Sequence, residues 1–217
     1  FQDTFSITGR FAFQHLPPED MRNQFVKKKT LGLTQFKLTD ESENVIGIDP
    51  YDYRRVEGKT PSAGAAIGGA ALDYLERGIR NKIWFAYLFR PTPEVYFEDM
   101  IKACVFLSAY AQVESKNKNI INHFEDRGYM DFLLPKNIAQ PKSEHKGNAT
   151  TTSLTDEMAS LLDGLYSDPA FLADMWMDFV LEDNLAFNLE DTLKSHMIKV
   201  TAFRAGAFAL LRSDIPY

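Results

Sequence analysis

The stretch Asn44 to Asp52, NVIGIDPYD, constrains the fold more than any other part of the chain. It opens on a polar residue, runs through Val45-Ile46-Gly47-Ile48, and stops at Asp49 with Pro50 behind it. A short apolar run with β-branched residues reads as a buried strand. Pro50 has no amide proton with which to continue a ladder, so the strand ends there. A carboxylate at the end of a buried strand points out of the sheet edge into a crevice. Asp before Pro is also an ordinary turn-former. What separates the two readings is whether further carboxylates reach the same edge.

The elements that follow build a mixed sheet. Asp52 to Thr60 is a polar loop, and its Gly58-Lys59-Thr60 resembles the end of a phosphate-binding loop. Such a loop needs a glycine five residues before that triplet, and Tyr53 stands there, which argues against nucleotide binding. Ala63 to Leu72 is small and apolar, with glycines that suit a strand packed close to a neighbour. Lys82 to Arg90 is aromatic-rich and reads as a third strand. Short links make these three an antiparallel meander. Pro93-Glu94 opens a helix to about Ser108, and Phe97, Ile101, Cys104 and Val105 lie on its apolar face. Cys104 is therefore expected in the core. Ala109 to Glu114 is a fourth strand that ends on a carboxylate, Asn117 to Arg127 a helix closed by Gly128, and Phe132 to Leu134 a fifth strand.

Around this centre lie two less regular stretches. Residues 1–43 read as an arm, with a short helix after Pro17-Pro18 and a basic run at Lys27-Lys28-Lys29. That run is either a solvated helix end or a phosphate contact. Lys136 to Thr152 is polar and reads as a mobile loop. Ser153 or Thr155 caps a helix to Leu165, Asp168-Pro169 starts another that carries Phe171, Leu172, Met175, Trp176 and Phe179, and Leu189 to Leu211 is the longest helix. At 217 residues the chain is expected to be one domain, or one domain with an arm. Its net charge of −6 gives no global basic field, so a nucleic-acid partner would need a local basic face. The single cysteine excludes an intrachain disulfide. No apolar stretch approaches the roughly 20 residues that span a bilayer, so no membrane partner is expected. With neither a leader nor a starting Met, the chain reads as a fragment.

Three carboxylates fall where this order of elements lets them converge. Asp49 ends strand one, Glu114 ends strand four, and Asp191 lies in the first turn of the last long helix. Glu114 could equally be a helix-entry acid, and Asp191 could simply favour the helix dipole. Asp52 and Glu190 are near neighbours able to take these roles. Carboxylates gathered in one crevice repel one another and attract hard divalent cations with oxygen ligands, Mg²⁺ or Mn²⁺. Two such ions about 3.5–4 Å apart can clamp a phosphodiester. The histidines, His15, His123, His145 and His196, are scattered and do not form a zinc set.

The βββ-α-β-α-β order with acids on strands one and four resembles the RNase H-like fold: an α/β mixed five-stranded sheet, three antiparallel strands then parallel additions, flanked by helices. Within it the chain resembles the C-terminal nuclease domain of phage terminase large subunits, particularly those of phages infecting Bacteroidetes. The matching pieces are Ile46-Gly47-Ile48-Asp49-Pro50-Tyr51-Asp52, Phe89-Arg90-Pro91 leading into Tyr96-Phe97-Glu98, and Ala111-Gln112-Val113-Glu114-Ser115-Lys116-Asn117. Ile120 to Phe124 and Arg127-Gly128-Tyr129 continue the match, which covers roughly residues 44–135 well and the rest loosely. The resemblance implies a nuclease domain over 44–217 and a linker over 1–43 from an absent ATPase domain. It implies Asp49 and Glu114 as metal ligands, with the third in the doublet Glu190-Asp191, although Lys194 stands where the family often has a further acid. The implied activity is two-metal endonucleolytic cutting of concatemeric double-stranded viral DNA during genome packaging, in the cytoplasm of a bacterial host. Its partners would be the motor domain, the small terminase subunit and the portal. Arg54, Arg55, Lys116 and Lys118 flank the two strand-end acids and are the expected phosphate contacts, with solvated loop charges as the alternative. Other readings are a resolvase- or integrase-like nuclease, or a non-catalytic docking module of the packaging motor.

Overall fold

A computed structural model describes residues 9–30, 32–39, 44–51, 63–70, 83–114, 118–135, 146–147, 152–186 and 200. Its centre is a five-stranded mixed sheet of β1 (Ala12–Phe13), β4 (Asn44–Asp49), β5 (Gly64–Ala70), β6 (Ile83–Phe89) and β7 (Ala109–Val113). The strand order is β1-β6-β5-β4-β7. β4, β5 and β6 form the expected antiparallel meander, and β7 pairs in parallel with β4. The parallel pair requires a crossover, and α1 (Pro93–Leu107) supplies it. Pro93 starts that helix without losing an internal hydrogen bond, and Ser108, at φ 47°, ends it in the left-handed region. α2 (Lys118–Asp126) follows β7 and stops before Gly128, whose φ is +80°.

Helices cover both faces of the sheet. On one face α1 and α2 bury Ile46, Ile48, Ala66, Phe85, Tyr87, Ala111 and Val113 against Tyr96, Met100, Cys104, Ile120 and Phe124. Cys104 is in this core, as its helical spacing predicts, and burial pushes its thiol pKa up. On the other face Ala65, Ile67, Ile83 and Ala86 meet Phe171, Met175, Met177, Val180 and Val200. The first and second of those contacts come from α4 (Pro169–Ala173) and the turn after it, and Val180 from α5 (Asp178–Leu185). α3 (Thr152–Tyr166) precedes them. The single helix expected after Asp168-Pro169 is thus two. Asp168 caps the first, accepting from the Ala170 amide at 2.9 Å.

Three further expectations change. Phe132 to Leu134 is not a full strand: a 3-10 helix occupies Met130–Phe132, and Leu133 makes one parallel bridge to Ala111. The fifth strand of the sheet is β1, on the opposite edge, paired with β6. Lys27-Lys28-Lys29 is not a helix end. It lies in β2 (Phe25–Thr30), which forms a two-stranded ribbon with β3 (Leu33–Leu38). Period-two alternation on β3 directs Phe36 and Leu38 inward, where Phe36 stacks on Tyr129 at 4.6 Å, and all three lysines of β2 are exposed, with Lys27 reaching over the Phe36 ring. The helix after Pro17-Pro18 is one 3-10 turn, Glu19–Met21. Residue 10 is tied to α1 as well: Arg10 makes two hydrogen bonds to the buried Asp99 carboxylate, at 2.5 and 2.9 Å, and Tyr87 donates a third at 3.1 Å. Most of the loop expected over Lys136 to Thr152 and nearly all of the helix expected over Leu189 to Leu211 lie outside the described residues. No helix among the described residues is long and apolar enough to cross a membrane.

Candidate functional site

Strand alternation sorts the residues of β4 and β7. Ile46 and Ile48 face α1, so Val45, Gly47 and Asp49 face the opposite side. The parallel register pairs Val45 with Tyr110 and Gly47 with Gln112, placing Tyr110, Gln112 and Glu114 on that same side. The Glu114 amide donates to the Ile48 carbonyl at 3.0 Å, which carries the register one step past the end of β7. Asp49 and Glu114 therefore end level with each other, on adjacent parallel strands and on one face. Both are buried, at 5% and 2% exposure. Neighbouring strands lie about 4.8 Å apart, close enough for both side chains to reach one cation.

The surroundings hold this edge in place. The phenol of Tyr96 lies 3.0 Å from the Ala65 carbonyl and 3.3 Å from that of Asp49, and shares its one proton between them. Ala65 is the antiparallel partner of Asp49, so Tyr96 ties the ends of β4 and β5 together. Burial, and after it the Asp49 charge, push the Tyr96 pKa well above the usual phenol value, so it remains a donor. A side chain at Gly64 would collide with the Tyr96 ring, 2.5 Å from an ideal Cβ. The Tyr51 hydroxyl donates to the Pro91 carbonyl, and the Arg90 guanidinium lies 5.6 Å over the Tyr51 ring. β6 runs in the same direction as β4, so exposed Arg90 stands at the edge where the two acids end.

On the face opposite α1, Val200 lies against Gly47. An ideal Cβ on Gly47 would lie 2.2 Å from the Val200 carbonyl oxygen. Only glycine lets a backbone pass so close. Val200 is fully buried on the face that carries Asp49 and Glu114.

Beside Gly47 is Gln112, at 1% exposure, with neither its amide nitrogen nor its amide oxygen bonded to a partner among the described residues. A buried amide without partners is costly and rare in a settled interior. Among the described residues at this edge, the two carboxylates and the Gln112 amide offer oxygen donors, which suit a hard divalent cation rather than zinc. Among the described residues no group of three or more His, Cys, Asp or Glu is gathered around a metal position.

Of the residues expected from sequence, Asp49 and Glu114 come together. Lys118 is exposed in the first turn of α2, soon after Glu114. Asp191, Glu190, Asp52, Arg54, Arg55 and Lys116 lie outside the described residues. Sequence reasoning missed Gln112 and Tyr96. Gln112 carried a usable signal, because a residue two places before Glu114 on a strand must share its face. Tyr96 carried none, since its hydrogen bonds span 31 and 47 positions. No protein-family model matches the chain, and no curated protein matches it at a significant level.

Proposed function

We propose that this chain is a metal-dependent endonuclease of RNase H-like fold, the nuclease module of a phage terminase large subunit. It would cut concatemeric double-stranded DNA during genome packaging in the cytoplasm of a bacterial host. The observation that carries the reading is the pair of buried carboxylates, Asp49 and Glu114, level at the carboxyl ends of adjacent parallel strands. The order of elements, an antiparallel meander, then α1, the parallel strand β7, α2 and the parallel bridge at Leu133, agrees with the order on which the resemblance rests and supports the reading further.

Asp49 and Glu114 would hold Mg²⁺ or Mn²⁺ through their carboxylate oxygens, with Asp191 or Glu190 as the third acid. The buried placement of Val200 over Gly47 supports a C-terminal contribution to this face. Bound divalent cations would supply an activated water and neutralise charge at the leaving 3′ oxygen. Tyr96 keeps the Asp49 backbone at its place on the edge. Arg90 and Lys118 offer positive charge to the phosphate backbone, together with Arg54, Arg55 and Lys116. In the packaging machine the motor domain, the small terminase subunit and the portal would deliver the duplex.

Digestion of supercoiled plasmid tests the proposal. The purified chain is expected to nick plasmid with Mn²⁺ or Mg²⁺ but not with EDTA. Asp49→Ala and Glu114→Ala should abolish nicking while circular dichroism remains unchanged. An intact plasmid, together with no heat of Mn²⁺ binding, would sink the reading in favour of a docking module for portal or capsid proteins. Preferential cutting of branched junctions would redirect it to a resolvase.

A further inference from the structure

Among the described residues, Gln112 is a buried amide with neither of its polar atoms partnered. It stands on β7 two residues before Glu114, level with Gly47, on the face that carries both acids. Its side chain is all but inaccessible to solvent, and among the described residues neither polar atom has a partner. Among the described residues the Val200 backbone lies over Gly47 on this face, and Gln112 makes no hydrogen bond to it. An apolar residue of similar shape would stabilise the sheet more, because an unpartnered buried amide is a net cost.

We propose that Gln112 is a positioning residue for the cation site, bonding a water that belongs to the hydration shell of an ion held by Asp49 and Glu114. This rests on reading those two acids as the cation site. The geometry allows it: two residues along a strand span about 6.6 Å, and side chains on strands lean along the strand direction. One intervening water bridges from the amide to an ion at the level of the acids. An amide suits that role, because its oxygen accepts from the water while it adds no further negative charge beside two buried carboxylates. Outer partners of this kind orient what the ligands hold, and losing one commonly weakens metal affinity by about 10–100-fold.

Calorimetric titration of Mn²⁺ into the wild-type chain, Gln112→Met and Gln112→Glu, with melting curves in EDTA, tests the inference. Gln112→Met is expected to bind Mn²⁺ about tenfold more weakly and to melt no lower than wild type in EDTA. Gln112→Glu retains an acceptor oxygen of the same reach, adds a negative charge, and should bind Mn²⁺ more tightly than the wild type. Unchanged Mn²⁺ affinity in Gln112→Met would overturn the role. If that variant also melted lower, the amide would be holding a structural water against the Val200 segment instead. Should Gln112→Met fail to fold, Gln112→Glu decides alone. Its carboxylate adds a charge that tightens Mn²⁺ binding if the side chain reaches the ion's shell, and unchanged affinity overturns the role. No Mn²⁺ heat from the wild type would overturn the two-acid reading itself, and Gln112 with it.

Discussion

On the face under α1 and α2, the central strands present Ile46, Ile48, Phe85, Tyr87 and Val113, all buried among apolar neighbours. On the other face the same strands present Gly47, Ala65 and Ala86, and then Gln112, Asp49 and Glu114. The first face is apolar throughout its buried cluster. The second has a glycine, Gly47, where the Val200 backbone approaches, with Ile67 beside it, and is polar at its upper edge. A period-two chain makes this division available at no extra length, because each strand serves a stabilising layer and a chemical layer at once. Burying two carboxylates and an amide costs stability. The α1 face has to offset that cost, and four predictions test the division.

The largest effect is on chemistry alone. Asp49→Asn and Glu114→Gln should each reduce metal-dependent nicking by at least about a hundredfold. Their melting temperatures in EDTA should equal or exceed that of the wild type, because each change removes one of two neighbouring buried charges. A clear drop in melting temperature would mean that the acids stabilise the fold rather than serve a site.

Next is the opposite kind of change. Met100 is fully buried on α1, and Met100→Ala should cost about 2–5 kcal/mol in urea unfolding. Nicking per folded molecule should stay at the wild-type level below the melting transition. Loss of activity in the still-folded variant would show that the two faces are not separable.

Gly47→Ala sits between these cases. The new methyl would meet the Val200 carbonyl, and relieving that contact should cost about 1–3 kcal/mol. Because Val200 lies on the face that carries the acids, Mn²⁺ affinity should fall as well, which Met100→Ala should not reproduce. Equal Mn²⁺ affinity in Gly47→Ala and wild type would detach the Val200 segment from the site.

The smallest effect is alkaline. Burial raises the pKa of the Cys104 thiol and of the Tyr87 and Tyr96 phenols, all on the α1 face. These groups keep their protons in the folded protein and lose them in the unfolded chain. Their contribution is complete below about pH 9 and falls as pH rises, first through the thiol and above about pH 10 through the phenols as well. Lys146, at the bridge to Pro135, has its pKa lowered by burial, so its contribution changes in the opposite direction as pH approaches 10.5. Between pH 9 and 10 the thiol contributes at most about 1.4 kcal/mol per pH unit. The unfolding free energy of the wild type relative to Cys104→Ala, from urea titrations over that range, should fall with pH by up to that slope, and a constant difference would refute it.

Much of the fold was legible because the chain punctuates it. Pro50 closes β4, Pro93 opens α1 and Gly128 closes α2, each by a constraint local to the residue. The ribbon of β2 and β3 was not legible, because Lys27-Lys28-Lys29 hides its alternation and a run of lysines suits an exposed helix end equally well. β1 is only two residues long, too short for any period, and exists because β6 offers it an edge.

The candidate site divides along the same line. Sequence alone determined that Asp49 and Glu114 each end a strand, and that Gln112 shares the face of Glu114, because alternation is a property of the local backbone. Only the tertiary structure decided that β4 and β7 are neighbours in parallel, in a register that brings the two acids level. It alone set Tyr96 on the Asp49 carbonyl and Val200 over Gly47. Pairing and register are choices between segments far apart in the chain, settled by the burial that α1 completes as it crosses from β6 to β7.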